Sequence, residues 1–122
     1  MKSFLLVFLG GGLGSALRYL VANAMNQYSK VLPFGTFTVN IIGCLLIGMI
    51  LGYAQRENTL TSNQTLLLAT GFCGGFTTFS AFANENLELI KNGEIFNFSV
   101  YTIGSILVGV LAVFIGFYLT NR

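Results

Sequence analysis

Four long stretches of this sequence contain almost no charged residue, and this pattern constrains the fold more than any other feature. Residues 31–55, 58–84 and 95–121 contain no Asp, Glu, Lys or Arg, and residues 3–25 contain only Arg18. A helix that crosses a bilayer needs about 20 mostly apolar residues, and each stretch is long enough. The sequence therefore predicts an all-α membrane protein with four transmembrane helices, at approximately 3–25, 33–55, 63–91 and 95–120.

The composition supports this class and excludes others. Only 8% of the residues are charged and 54% are hydrophobic, whereas a soluble domain carries about 25% charged residues. A soluble enzyme, a disordered chain and a disulfide scaffold are therefore excluded, and a net charge of +2 offers nucleic acid no basic patch. The absence of His removes the usual general base and the commonest metal ligand. We expect no enzymatic activity, and we interpret Cys44 and Cys73 as packing residues.

Short polar segments separate the four stretches and carry helix-boundary signals. Pro33 suits the first turn of helix two, residues 61–64 have the spacing of a capping box, and Gly93 is a typical helix terminator. Because the connections are short, neighbouring helices must be antiparallel, and residues 1–122 are predicted to form one domain. The N-terminal stretch also mimics a cleavable signal peptide, but Arg18 interrupts it where the apolar core of a signal would run.

The positive charges do not favour one orientation in the membrane. Four spans place both termini on one side, together with Lys2, Arg56 and Arg122. If Arg18 snorkels outward, the other side holds Arg18, Lys30 and Lys91. The positive-inside rule then gives no preference. Two interpretations remain open, namely a weak unresolved bias, or dual topology with an antiparallel dimer whose two-fold axis lies in the membrane plane.

Small residues recur four positions apart in helices one, two and four. Such pairs let helix backbones approach closely within a membrane. A phosphate-binding loop is not supported at the N-terminus, because no Lys-Ser/Thr follows the glycines and no GxGxxG spacing occurs. The helix-packing residues predicted from this pattern are Gly10, Gly14, Gly48, Gly52, Gly109 and Gly116.

Helix two carries a polar pair inside the membrane. Thr36 and Asn40 are four positions apart, so they share one face of the helix. An amide within a span is costly unless it is paired or lines a wet path. Asn40 therefore has two interpretations: it makes an interhelical hydrogen bond, or its NH₂ group lines a pore and donates to an anion.

Residues 71–82, with the sequence GFCGGFTTFSAF, form the most unusual segment of the third stretch. Paired glycines followed by two threonines weaken a helix, which predicts a break near residues 74–78. A break at mid-membrane is tolerated only where the freed backbone groups are buried in protein or bind an ion. Phe79 and Phe82 follow on one face, and their ring edges can face an anion. A packed aromatic stripe is the alternative interpretation.

Further polar residues lie on the third and fourth helices. Glu85 is about one turn beyond the phenylalanines, which suits a position at a pore mouth. Tyr101 and Ser105 are four positions apart on helix four and are candidates for a polar track. Interfacial anchoring by Tyr101 and close packing by Ser105 are the alternatives.

Three segments together resemble the fluoride channel family called Fluc or CrcB. They are GGGLGSALRY at 10–19, GTFTVNIIGCLLIG at 35–48 and GFCGGFTTFSAF at 71–82, and the third is the most specific. The resemblance covers essentially the whole chain. It implies a dual-topology antiparallel homodimer in the cell inner membrane, with two pores per dimer that let fluoride leave the cytoplasm passively and so protect against its toxicity. A pair of different chains is the alternative assembly.

The resemblance also implies roles for particular residues. Asn40 corresponds to the family's pore asparagine and Phe79 and Phe82 to its pore phenylalanines. The backbone carbonyls of Gly74 and Thr77 would hold a structural sodium ion at the dimer centre, and Arg18 matches the arginine of the first motif, a structural or vestibule position. The complete set of predicted fluoride-pore residues is Thr36, Asn40, Thr78, Phe79, Ser80, Phe82, Glu85, Tyr101 and Ser105.

The sequence departs from the family pattern at Ala81 and Gly109, which lack hydroxyl groups that the motif and the helix-four track would supply. The remaining donors are neutral, which suits conduction because a pore cation would bind fluoride too tightly to release it. Two other functions remain as alternatives. A small multidrug transporter needs a membrane-embedded carboxylate for proton exchange, and helices one, two and four have none. A non-conducting scaffold would explain the glycines but not Asn40 and the phenylalanine pair.

Overall fold

The computed structural model describes residues 1–28, 31–56 and 59–122, and four of its helical spans are long and apolar enough to cross a membrane. The prediction of an all-α chain with four transmembrane helices is confirmed. Lys30, which entered the charge balance, lies outside the described residues. The elements in chain order are α1 (Lys2–Met25), a 3₁₀ turn (Asn26–Tyr28), α2 (Phe34–Gln55), α3 (Ser62–Thr65), a π-helical segment (Leu66–Cys73), α4 (Gly74–Phe76), α5 (Phe79–Lys91) and α6 (Ile95–Asn121).

The third span, Ser62–Lys91, is interrupted at Thr77 and Thr78. Thr77 has φ −88° and ψ 159°, and Thr78 has φ −149° and ψ 123°, so both residues are extended. The helix resumes at Phe79 because the Thr78 hydroxyl accepts a hydrogen bond from the Ala81 N–H at 3.2 Å, which is an N-cap. The π-helical segment before the break was not predicted from the sequence.

Local capping chemistry fixes both ends of the third span. The Thr61 hydroxyl accepts from the Gln64 N–H at 3.1 Å, and the Gln64 side chain accepts from the Thr61 N–H at 3.0 Å. At the other end Gly93 has φ 75°, and the Glu94 N–H donates to the Leu89 carbonyl at 2.8 Å, as in a Schellman motif. The predicted capping box and the predicted glycine terminator are therefore both confirmed.

Glycines on α1 bring its backbone against the third span. A Cβ at Gly10 would lie 2.5 Å from the Leu67 carbonyl oxygen, and a Cβ at Gly14 would lie 2.8 Å from the Phe76 nitrogen. Both obstacles are backbone atoms, so any side chain at Gly10 or Gly14 would push the two helices apart.

The second close contact joins α2 to α6. A Cβ at Gly52 would lie 2.5 Å from the Phe117 carbonyl oxygen, and a Cβ at Gly116 would lie 2.9 Å from the Met49 nitrogen; Gly48 similarly faces the Val113 carbonyl. Gly109 is different, because a Cβ there would lie 3.5 Å from the Cys44 sulfur, which is an ordinary contact.

Most large apolar side chains of the single chain face outward. The buried hydrophobic core of the described residues is small and includes Val39, Cys73 and Phe76, whereas Phe4, Phe8 and many side chains of α6 are exposed. A soluble protein does not tolerate such a surface. These faces therefore contact lipid or another protein chain.

Candidate functional site

Asn40 joins α2 to the break in the third span. Its Nδ2 donates to the Thr78 carbonyl at 3.1 Å, and its Oδ1 accepts from the Thr78 N–H at 2.8 Å. The side-chain amide thus replaces the backbone partners that Thr78 loses where the helix stops. One of the two Asn40 N–H groups is used in this pairing.

Other carbonyl groups at the break are satisfied by side chains. The Gly75 carbonyl accepts from Arg18 Nε at 2.9 Å and from the Ser15 hydroxyl at 3.4 Å. The Cys73 carbonyl accepts from the N–H and the hydroxyl of Thr77 at 3.0 and 2.9 Å. By contrast, no described residue donates a hydrogen bond to the carbonyl oxygens of Gly74 and Thr77. Gly74 and Thr77 both line the groove described below, and carbonyl oxygens without donors are ligands of the kind that a hard cation such as sodium prefers.

Arg18, whose outward snorkelling was the condition for an even charge balance, makes a hydrogen bond within the chain. Its guanidinium turns toward the interruption because the Gly75 carbonyl has lost its helical partner and accepts a charge-assisted hydrogen bond. Arg18 also lines a cavity of about 390 Å³ together with Thr36, Thr78 and Glu85. We call this space the inner cavity.

Glu85 is held by hydroxyl groups from two other helices. The Thr36 hydroxyl donates to Glu85 Oε2 at 2.6 Å, and the Tyr101 hydroxyl donates to Oε1 at 2.9 Å. Thr36 is 4% exposed and Tyr101 5% exposed. These short bonds to a carboxylate are of the stronger type, so they fasten α2, α5 and α6 to one another at this level.

Three aromatic rings continue from this cluster toward the surface of the chain. The Phe82 ring lies 5.1 Å from the Tyr101 ring, tilted by 52°, and 5.8 Å from the Phe79 ring, tilted by 46°. Tilted rings present edges as well as faces, and the edges are the positive part of the quadrupole. Phe79, at the outer end, is 79% exposed.

A groove of about 570 Å³ runs beside these rings and contains several of the predicted residues. Asn40, Thr78, Phe79, Phe82 and Ser105 all line it. The Ser105 hydroxyl is buried and has no hydrogen-bond partner among the described residues. The groove also contains Gly74, Thr77, Gly109 and the free thiols of Cys44 and Cys73.

The structure brings most predicted site residues into two linked groups. Thr36 and Tyr101 both donate to Glu85, and the groove residues adjoin this group through Phe82, whose ring contacts that of Tyr101. Ser80 is the exception: it is exposed and lies outside the lining of the groove, and among the described residues its side chain is hydrogen-bonded to the Thr78 hydroxyl alone, at 3.3 Å.

Two polar contacts near the site were missed by the sequence analysis. Thr102 donates to Asn86 at 3.1 Å, directly beside the bond between Tyr101 and Glu85, and each member follows a predicted site residue in sequence. Asn26 accepts from the Gly35 N–H at 3.0 Å. Tyr101 and Glu85, and Thr102 and Asn86, are both sixteen residues apart. This equal spacing could have indicated the second contact once the first was predicted, whereas no neighbouring residue indicated the contact of Asn26.

Comparison with known proteins gives concordant matches. The sequence model of the family described as "CrcB-like protein, Camphor Resistance (CrcB)" matches residues 5–117. The chain is 47% identical over 122 residues to the fluoride-specific ion channel FluC of Phocaeicola vulgatus, with 99% of this chain and 100% of the relative covered. It is 49% identical over 123 residues to FluC of Gloeothece citriformis, covering 100% and 99%. For FluC of Bacteroides fragilis the identity is 50% over 126 residues, covering 100% and 98%.

Proposed function

The chain belongs to the CrcB family of fluoride-specific ion channels, and on this premise we propose that it conducts fluoride passively out of the cytoplasm. It is a multi-pass membrane protein and not an enzyme. In the cell inner membrane, passive export of this kind protects the cell against fluoride toxicity.

The observation that carries this proposal is the buried Ser105 hydroxyl without a partner in the groove of Asn40 and Phe82. A buried donor left unpaired costs about 1–3 kcal/mol, and an anion that accepts its hydrogen bond removes this cost. Fluoride is small and strongly hydrated, so its pathway must replace water with donors. Ser105, the second N–H of Asn40 and the edge of Phe82 provide neutral donors that release the ion again.

We assign the remaining predicted pore residues to the ends of this pathway. The hydroxyls of Thr36 and Tyr101 both donate to Glu85, so an anion arriving there competes with a carboxylate, as is expected at a pore mouth. Thr78 and Ser80 lie at the break, where their hydroxyls are 3.3 Å apart. Arg18 on the wall of the inner cavity attracts the anion without lying in the groove itself.

We propose that the carbonyls of Gly74 and Thr77 hold a structural sodium ion. Support comes from the absence of hydrogen-bond donors to these two oxygens among the described residues. The positive charge of such an ion would attract the carbonyl oxygens at the break and so stabilise the interrupted helix. Two copies of the chain would provide four oxygens, which is a reasonable shell for a hard cation.

The proposed assembly is an antiparallel dual-topology homodimer with two pores, each subunit being a single four-helix domain. The 79% exposed ring of Phe79 supports it, because a pore residue on the surface of a single chain requires a second chain to cover it. If Arg18 is counted with Lys30 and Lys91, the positive charges divide equally between the two sides, which is consistent with insertion in both orientations.

One observation favours the alternative of a proton-coupled transporter for small multidrug-type substrates. Glu85 is half-buried within the third span, and such a carboxylate can exchange protons. The two functions differ in their dependence on a proton gradient. A passive channel loses fluoride along its own gradient whether or not a pH difference is imposed, whereas a transporter requires the difference.

The proposed function is tested by efflux from liposomes that contain the purified protein and equal concentrations of fluoride and chloride. We expect fast fluoride loss with little chloride loss, no loss after Phe82→Ile and slowed loss after Asn40→Ala. Phe96→Ile and Asn63→Ala are matched controls, because both residues are exposed and line neither cavity nor groove. A well-folded dimer that releases no fluoride would contradict the channel, and a scaffold would be indifferent to Asn40→Ala.

A further inference from the structure

The first turn of α2 is capped from another element. Pro33 occupies the N-cap position and makes no side-chain capping bond, and its side chain has no acceptor for the free N–H groups that begin a helix. The Asn26 Oδ1 instead accepts from the Gly35 N–H at 3.0 Å. Asn26 lies in the 3₁₀ turn after α1, so the cap reaches across the connection between the two helices.

The sequence at the start of α2 permits this close approach. Gly35 is buried, and a Cβ on it would lie 2.5 Å from both Asn26 Oδ1 and the Ala22 carbonyl oxygen. Only glycine therefore lets the cap form. The next residue is Thr36, which makes the 2.6 Å bond to Glu85, so the cap fixes the backbone immediately before a site residue.

Asn26 also lies at the boundary between two cavities. The inner cavity contains Arg18 and Thr36, and an outer cavity of about 320 Å³ contains Glu88 and Glu94. Within the described part of the chain, Asn26 and Glu85 are the two residues that line both spaces. The position of the first turn of α2 therefore determines the geometry of the Thr36–Glu85 hydrogen bond, which lies where the two cavities adjoin.

We propose that Asn26 is a positioning residue of the pore: by capping α2 at Gly35, it sets the register of Thr36 against Glu85. This inference rests on the proposed function, because the consequence is measured as fluoride conduction. It assigns Asn26 no contact with the ion. Its effect is transmitted through one hydrogen bond and one residue of helix.

The test is fluoride efflux from liposomes with Asn26→Ala, Thr36→Val and the double variant. We expect Asn26→Ala to slow efflux roughly threefold to tenfold, the range expected when one helix cap is lost. The double variant should be no slower than Thr36→Val alone, because residues that act through one contact are not additive. Gln27→Ala, an exposed amide on the same turn, should leave efflux and thermal stability unchanged.

A second substitution separates positioning from ion contact. Asn26→Asp keeps the acceptor oxygen and places a carboxylate at a helix N-terminus, where it is tolerated, so efflux should remain faster than with Asn26→Ala even if Asn26→Ala folds poorly. Slower efflux with Asp than with Ala would mean that charge at this position governs the ion, and it would overturn the proposal. Additive losses in the double variant would overturn it as well. A wild-type protein without fluoride efflux would contradict the proposed function instead.

Discussion

At the scale of single residues, the site depends on which buried polar groups have partners. Asn40, Thr36 and Tyr101 are each hydrogen-bonded to the third span, whereas the Ser105 hydroxyl is buried without a partner. A paired group stabilises the fold, and an unpaired donor remains available for a ligand. This difference predicts opposite effects of substitution on stability and on conduction.

Ser105→Ala should separate folding from function. Removing a buried hydroxyl without a partner relieves an unfavourable term, so the free energy of unfolding should be unchanged or higher by about 1 kcal/mol. Fluoride efflux should nevertheless fall roughly tenfold, which corresponds to the loss of one hydrogen bond to the ion. Denaturation in detergent and liposome efflux on the same preparation give the two values. A parallel fall in both would instead indicate a structural role for Ser105.

Arg18→Leu should destabilise the break. Hydrogen bonds that involve a charged group contribute about 1.5–3 kcal/mol, and the Gly75 carbonyl would keep only the longer bond from Ser15. We expect a loss of this size in the free energy of unfolding, measured by denaturant titration. Arg122→Leu, which removes the same charge at the C-terminus, is the matched control and should have an effect near zero.

At the scale of helices, the packing depends on where the backbones touch. Gly14 lies against the backbone of Phe76, but Gly12 on the same helix has no atom within 4 Å of a built Cβ. The two glycines differ in environment although they are only two residues apart. Of these two glycines, only Gly14 is therefore constrained by the contact between α1 and the third span.

Gly14→Ala and Gly12→Ala should consequently give opposite results. The first forces α1 away from α4 and should lower the free energy of unfolding by about 1–3 kcal/mol. The second meets no obstacle within the chain and should be neutral, or stabilising by up to about 1 kcal/mol because alanine favours the helix. Thermal unfolding of both variants, with the dimer fraction measured by size exclusion, distinguishes them. Equal losses would show that Gly12 also makes a close contact.

The elements that could be predicted from sequence are those set by local chemistry. The capping box at Thr61 and the glycine at position 93 each involve neighbours within a few residues, and the uncharged stretches directly indicate the spans. The π-helical segment was not predicted. The direction of Arg18 depends on a partner 57 residues away in sequence, and the cap by Asn26 depends on one 9 residues away. No periodicity or spacing within one element contains that information.

At the scale of the whole molecule, orientation and assembly depend on few charges. Six Lys and Arg residues serve four spans, so a single added charge changes the balance between the two sides. For the proposed dual topology we expect a cysteine added after Arg122, which keeps all six positive charges, to be labelled from both sides of the membrane by an impermeant reagent in a background with Cys44 and Cys73 replaced by Ala. Placing two lysines after Lys2 should shift labelling to the cytoplasmic side. Labelling from one side only in the first variant would contradict dual topology.

The pairing of Asn40 with Thr78 has a mechanical consequence. Thr36 and Asn40 lie one turn apart on α2. Thr36 is hydrogen-bonded to Glu85 of the third span, and Asn40 is hydrogen-bonded to Thr78. Phe79 and Phe82 lie between these two attachment points, so the segment that carries them is hydrogen-bonded to the single helix α2 at both ends. The backbone that carries the two rings therefore cannot move relative to α2 without breaking one of these hydrogen bonds. In the proposed channel, a backbone held in this way would keep the spacing between α2 and the phenylalanines constant, and a constant spacing would favour rejection of a larger halide by size.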